Sequence, residues 1–385
     1  MCISPIRIRN PNLGMIGPNA QFKDCISQFI EVPCGKCCEC VQFDQLQVVQ
    51  RLQCESLVNH LFFCTLTYNN ESLPVVSTST GFDIRFADVS DVQKMFKRLR
   101  KRNAFGRPFR HFSVSELGSE KARPHFHILF LIPKYDDDDL NTCLSLEKLM
   151  FTEVLSEWKR NYGSRKFPVW KPLCTYVRKY VYGRLRTNFD LHYVNPSLTS
   201  GSEANVAFYV TKYMLKPSDR EIKLKRALRL NLEPDEFKFI WSLVKCRHFE
   251  SEGFGLGSSV SEVVNGHKVY SVPDKVYEHL RKGIELSLKN VQPIPSFFSP
   301  VDGSSVPLAK YYKSRGEIFG MSDFLDFFYA SSQSADNVII KDDLDVTQTD
   351  IKISNFEKNR KIIDSNQSVS NLDDLYDDSC LLFSL

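Results

Sequence analysis

The segment Arg123-Pro124-His125-Phe126-His127-Ile128-Leu129-Phe130 constrains this chain more than any other. Its apolar, aromatic and β-branched content predicts a buried strand over residues 125–132. Successive side chains of a strand point to opposite faces. His125 and His127 therefore share one face, and Phe126, Ile128 and Phe130 share the other. Two imidazoles on one strand face are half of a divalent-metal site. Taken alone, the pair reads more simply as two ordinary strand residues. The weight of the metal reading rests on what the rest of the chain adds.

Residues 109–117 (FRHFSVSEL) predict a second strand, joined to the first by a Gly/Ser/Lys turn as a hairpin. Glu116 lies nine residues before His125. If the strands pair across the turn, its carboxylate meets the imidazoles. Two nitrogens and one oxygen leave positions open for water and phosphate. That donor set suits Mg²⁺ or Mn²⁺ acting as a Lewis acid, and a closed structural zinc site would not leave those positions.

Composition supports a polyanion partner. The net charge of +4 hides an asymmetry: residues 336–385 hold 11 Asp+Glu against 5 Lys+Arg, so residues 1–335 carry about +10 by difference. The hydrophobic fraction of 42% and charged fraction of 25% are those of a globular chain. No apolar run approaches the roughly 18 residues of a membrane span. The N-terminus lacks the apolar core of a signal peptide, so an intracellular protein with no membrane partner is expected. The 12 cysteines are not spaced as a secreted disulfide scaffold and read as reduced thiols.

Four regions are expected. Residues 1–58 form a Cys-rich N-terminal segment that opens loop-like. Cys34, Cys37 and Cys40 have CxxCxxC spacing, which makes them candidate zinc ligands needing a fourth donor such as Cys25 or Cys54; a tight turn with free thiols competes. A helix over residues 42–59 follows. Residues 59–257 form the main domain. Within it, residues 60–68 read as a buried strand and residues 88–102 as a helix capped by Ser90, with Val92, Met95, Phe96 and Leu99 as its apolar stripe. Its outer face carries Lys94, Lys97, Arg98, Lys101 and Arg102, whose mutual repulsion a phosphate backbone would relieve. Residues 133–141, with four consecutive aspartates, read as a solvated loop, and residues 146–160 as a helix. From Lys159 to Arg186 there are nine Lys+Arg, Arg178 and Lys179 among them, and no acid, interleaved with tyrosines, Phe167 and Trp170. Basic and aromatic residues together suit single-stranded nucleic acid. Residues 218–250 read as helical and basic. The glycine-rich residues 253–257 mark a loop, not a phosphate-binding P-loop, because no GKS/T follows. Residues 258–335 carry no assigned role, and residues 336–385 read as an acidic, weakly ordered tail.

Residues 203–216 predict another helix, closed by Pro217. At about 100° per residue, Tyr209 and Tyr213 are i,i+4 neighbours, with Lys212 and Lys216 within or beside their stripe. A tyrosine hydroxyl can attack a phosphodiester and hold DNA covalently. Its ordinary pKa is about 10, so a neighbouring cation that favours phenolate is needed near neutral pH. Burial of both rings in a core is the competing reading.

PHFHILF followed by YVTKYMLK resembles the HUH endonuclease superfamily, which includes rolling-circle replication initiators. CGKC, FFCTLTYNNESLP, SELGSEKARPHFH and YVTKYMLK, in this order, resemble more narrowly the initiators of small single-stranded DNA phages, the gokushovirus-like branch of the microviruses. These motifs span residues 32–216. The resemblance implies an α+β HUH fold: a central antiparallel β-sheet flanked by helices, with a ferredoxin-like or RRM-like core and extra N- and C-terminal segments. It implies that His125, His127 and an acidic residue bind Mg²⁺ or Mn²⁺, with Glu116 supplied by the spacing argument. It also implies that Tyr209 and Tyr213 alternate as nucleophiles assisted by Lys212, leaving a 5′-phosphotyrosine and a free 3′-OH. The implied partners are single-stranded DNA, supercoiled double-stranded origin DNA, and a host helicase and DNA polymerase, in the cytoplasm of a bacterial host. Three other readings stay open: a non-catalytic nucleic-acid-binding protein, an HUH relaxase or single-strand transposase, and a structural protein organised by zinc.

Overall fold

A computed structural model describes residues 5–9, 29–32, 34, 37–118, 123–175, 178–181, 184–187, 189–194, 219–258, 260–264, 267–289, 296–298 and 305–307. The described residues divide into two compact units, one up to Leu46 and one from Gln47. In the first, β1 (Ile6–Arg9) pairs antiparallel with β2 (Phe29–Val32), where the sequence suggests only loop. Helix α1 (Cys38–Val58) starts four residues earlier than residue 42 and takes Cys40 into its first turn.

The second unit is α+β, built on five antiparallel strands. Its strands in chain order are β3 (Asn59–Thr67), β4 (Val75–Ser77), β5 (Asp83–Arg85), β6 (Arg110–Leu117), β7 (Pro124–Pro133), β8 (Lys159–Asn161), β9 (Trp170–Pro172), β10 (Arg178–Val181), β11 (Arg184–Thr187), β12 (Phe189–Tyr193) and β13 (His248–Glu250). The central sheet runs β12-β3-β7-β6-β13. The others named here pair as hairpins, β4 with β5, β8 with β9 and β10 with β11. Its helices are α2 (Val89–Lys101), α3 (Leu140–Glu157), α4 (Asp219–Asn231), α5 (Pro234–Val244) and α6 (Asp274–Lys289). Strands β14 (Val260–Val264) and β15 (His267–Tyr270) pair, as do β16 (Ser296–Phe298) and β17 (Ser305–Pro307). No described helix is long and apolar enough to cross a membrane.

The sheet is buried on both faces, which explains why β3 and β7 read as near-continuous apolar runs. On one face, Phe62, Cys64 and Leu66 of β3 and Phe126, Ile128, Phe130 and Ile132 of β7 pack with Val92, Met95, Phe96 and Leu99 of α2 and Met150 and Val154 of α3. On the other, Val49 and Leu52 of α1 cover Leu61, Phe63, Phe112, Val114, Leu129 and Leu131.

Several local expectations need correction. The cap of α2 is Asp88, whose carboxylate accepts from the Ser90 amide; Ser90 lies inside the helix. Helix α3 begins at Leu140 rather than 146, because Asp139 caps it by accepting from the Thr142 amide. The aspartate run is therefore not merely solvated. Asp138 has a side chain only 3% exposed and accepts from both guanidinium nitrogens of Arg107, with His60 at 3.0 Å. Residues 248–250, expected in a helical stretch, form β13 at the edge of the sheet.

A second buried ion pair ties α1 to the sheet. Arg110 of β6 donates two hydrogen bonds to the carboxylate of Glu55. Glu55 also accepts from the amides of Gly255 and Gly257, and both glycines have positive φ, a conformation that favours a residue without Cβ. Burial pushes the Glu55 carboxyl up, while Arg110 and the two amides oppose that. Replacing one partner of such a pair leaves a buried charge uncompensated, at about 3–5 kcal/mol. Glu55→Ala should lose about that much stability in urea denaturation, with Arg110→Met plus Glu55→Met recovering most of it.

Candidate metal centre

The β6–β7 register sets Glu116 opposite His125 and Val114 opposite His127. Because side chains alternate, Glu116, His125 and His127 project from the face that also carries Leu129 and Leu131, at the end those leucines do not occupy. The three ligand atoms lie close together. His125 Nε2 is 3.1 Å from His127 Nε2, and Glu116 Oε2 is 3.2 Å from His127 Nε2 and 3.5 Å from His125 Nε2. The ligand atoms of this trio are all within 4.8 Å of one another.

Their outer partners set the protons. His125 Nδ1 lies 3.0 Å from the carbonyl oxygen of Arg123. A carbonyl only accepts, so Nδ1 carries the proton, and in the neutral ring Nε2 presents a lone pair inward. His127 Nδ1 lies 3.2 Å from the hydroxyl of Thr65 on β3, which can accept a proton and leave Nε2 bare as well. Phe63 stacks on the His127 ring with centroids 5.4 Å apart, fixing its plane. Burial works to raise the Glu116 carboxyl, but hydrogen bonds from His125 and His127 outweigh it and hold it down to about 2. Burial lowers the pKa of His127, with the Glu116 hydrogen bond acting in the opposite sense. Three acceptors thus converge on one point with an ionised carboxylate among them, and a cation satisfies all three.

The spacing fits a divalent ion. In an octahedral shell with bonds of about 2.1 Å, neighbouring ligand atoms lie roughly 3 Å apart, close to the separations here. Histidines held by an outer carbonyl and hydroxyl are the usual second layer of a metal site. Neither Thr65 nor the Arg123 carbonyl is singled out by spacing along the chain. Thr65 is found only by laying β3 against β7, where it faces His127.

The other residues marked by the sequence distribute unevenly. Tyr209, Lys212, Tyr213 and Lys216 lie outside the described residues, as does the helix read over 203–216. Arg178 and Lys179 lie on β10. On α2, Lys97 and Lys101 are exposed. Arg98 is instead bound to the carboxylate and carbonyl of Glu157, and Arg102 pairs with Glu153 and Glu157. The repulsion along α2 is relieved by glutamates of α3, so those two arginines need no phosphate. In the first unit, the Cys34 and Cys40 sulfurs are 4.0 Å apart and the Cys37 amide donates to Cys34 Sγ at 3.3 Å. With Cys37 they form the second cluster that can hold a metal among the described residues.

Outer-layer partners typically matter 10- to 100-fold for metal affinity. Thr65→Val should therefore weaken Mn²⁺ binding by calorimetry by roughly tenfold, while unfolding stays close to wild type. Unchanged Mn²⁺ affinity would remove Thr65 from the site.

No curated protein and no solved structure matches the chain. Residues 61–184, about a third of the sequence, match the family model for the replication-associated protein ORF2 group. That stretch contains β3, β6 and β7, and hence Glu116, His125 and His127, and its match supports a replication-initiator family.

Proposed function

We propose that this chain initiates viral DNA replication by nicking one strand of an origin and later rejoining it, as an HUH endonuclease of the rolling-circle kind. The observation that carries the reading is the convergence of His125, His127 and Glu116 on one point, on strands that match a replication-associated family. The same donor set also suits Fe²⁺, and the family match is what favours phosphoryl chemistry with Mg²⁺ or Mn²⁺. A bound Mg²⁺ or Mn²⁺ would polarise the scissile phosphate and offset charge in the transition state.

The chain's own residues supply the rest. Arg123 and Thr65 hold the two imidazoles with their Nε2 atoms inward. Tyr209 or Tyr213 is the nucleophile: its oxygen forms a bond to phosphorus as the bond to the 3′ oxygen breaks. The phenolic proton leaves, and the departing 3′ oxygen takes one up. Lys212 favours the phenolate. The products are a 5′-phosphotyrosine and a free 3′-OH for polymerase. The phosphodiester energy is retained, so a 3′-OH can reverse the step without ATP. A second tyrosine cuts the regenerated origin while the first is esterified, which allows the displaced strand to be circularised. Residues 59–257 form the catalytic domain in this reading, and a bacterial host supplies the helicase and polymerase.

At the N-terminus, Cys34, Cys37 and Cys40 hold a structural zinc. The Cys37 amide donating to Cys34 Sγ favours this, since a thiolate is the better acceptor. Metal analysis of the purified chain should find about one zinc, lost in Cys37→Ser; a metal-free native protein removes this site.

The catalytic reading is tested by incubating the protein with labelled single-stranded origin DNA and Mn²⁺. An SDS-stable adduct is expected, abolished by chelator and by Tyr209→Phe with Tyr213→Phe together. Either single change should leave nicking or joining incomplete. Adduct formation in chelator, or by the double variant, rejects the mechanism.

A further inference from the structure

Beyond the metal centre, the β8–β9 hairpin has a surface that neither core packing nor ion pairing accounts for. Phe167 is 70% exposed, Val169 51%, Tyr162 47% and Trp170 46%. Between Lys159 and Pro172 there are five Lys+Arg and no acid. Arg165, Lys166 and Lys171 have no carboxylate within ion-pair distance among the described residues. Each exposed ring has a cation beside it. Lys166 Nζ lies 5.5 Å from the Phe167 ring centre and Lys171 Nζ 5.4 Å from that of Tyr162. Arg98 and Lys159 lie 5.0 and 5.6 Å from Trp170.

The hairpin is anchored at both feet to the end of the sheet that carries the metal centre. Trp158, fully buried, donates from its indole nitrogen to the carbonyl of Thr67 at 2.8 Å, and Thr67 is the residue opposite His125. Leu173 donates to the Trp158 carbonyl and accepts from the Asn69 amide. Arg123, whose carbonyl orients His125, donates to the carbonyl of Tyr68 and to Asn70. The root of β8 is fixed by Arg160 on the buried carboxylate of Asp91. Exposed rings with adjoining cations, on a stiff arm beside a phosphate-handling site, match one ligand chemistry: unpaired bases that stack while their phosphates meet the lysines. A duplex hides its base faces and offers no such stack.

We propose that the β8–β9 hairpin is a stacking platform that binds single-stranded DNA, holding the strand that flanks the metal centre. Its place beside the scissile phosphate rests on the nicking function proposed above; its affinity for unpaired DNA does not.

The test is equilibrium binding of the full chain to fluorescein-labelled oligo-dT of about 16 nucleotides, the upper end of common site sizes. This probe has no origin sequence, so failure of the nicking reading leaves the result intact. Phe167→Ala removes a ring that supports no core and should weaken binding roughly 5- to 100-fold, the range for one lost base stack, with thermal unfolding unchanged. Lys166→Gln with Lys171→Gln should lower the slope of log affinity against log salt by about 1.4, or about 0.7 per lost phosphate contact. Phe167→Ala binding oligo-dT as tightly as wild type overturns the proposal. So does an equal loss of affinity for a blunt duplex, because stacking on exposed rings requires unpaired bases.

Discussion

The pairing of Glu116 with His125 across β6 and β7 is the contact on which the candidate site depends. Strand side chains alternate with a period of two, so a slip of one residue would send Glu116 to the opposite face from both histidines. The register is held from both sides. On one face, Phe126, Ile128 and Phe130 are buried against α2 and α3; on the other, Leu129 and Leu131 lie under α1. A slip would exchange these two sets, so core packing and ligand geometry are specified by the same alternation.

Buried charges secure the elements around this sheet. Glu55 with Arg110 holds α1 and the Gly253–Gly257 turn against β6. Asp91 accepts from both Tyr68 and Arg160, linking α2 to the chain leaving β3 and to β8. Asp138 joins Arg107 and His60 at the opposite end of β3. Each pair is hydrogen-bonded on more than one side, which is what makes buried charge tolerable. Such pairs add less net stability than their count suggests. Their value lies in orientation, because a misplaced partner would leave a charge unpaired in the interior.

Much of this was legible along the chain. Runs such as HLFFCTLT and HILFLI read as buried strands because both sheet faces are covered. The separation of Glu116 and His125 was enough to infer their pairing, since a hairpin is local. The strands that were missed are short or distant. Residues 248–250 add only an edge to β6, and nothing local marks three residues as strand. Arg98 and Arg102 looked like phosphate contacts because their true partners, Glu153 and Glu157, lie more than fifty residues away. Asp138 looked solvated for the same reason. Charge read from sequence gives its sign but not its partner.

Strand β7 is central, bonded to β3 on one side and β6 on the other along nearly its whole length. Edge strands fray, whereas a strand laddered on both sides opens only when much of the domain opens with it. His125 and His127 thus occupy the slowest-opening part of the fold. Their amides belong among the last to exchange with solvent. The ligand set therefore persists when the metal is stripped away, and the ion's arrival and departure are limited by access to the site rather than by refolding of the protein around it.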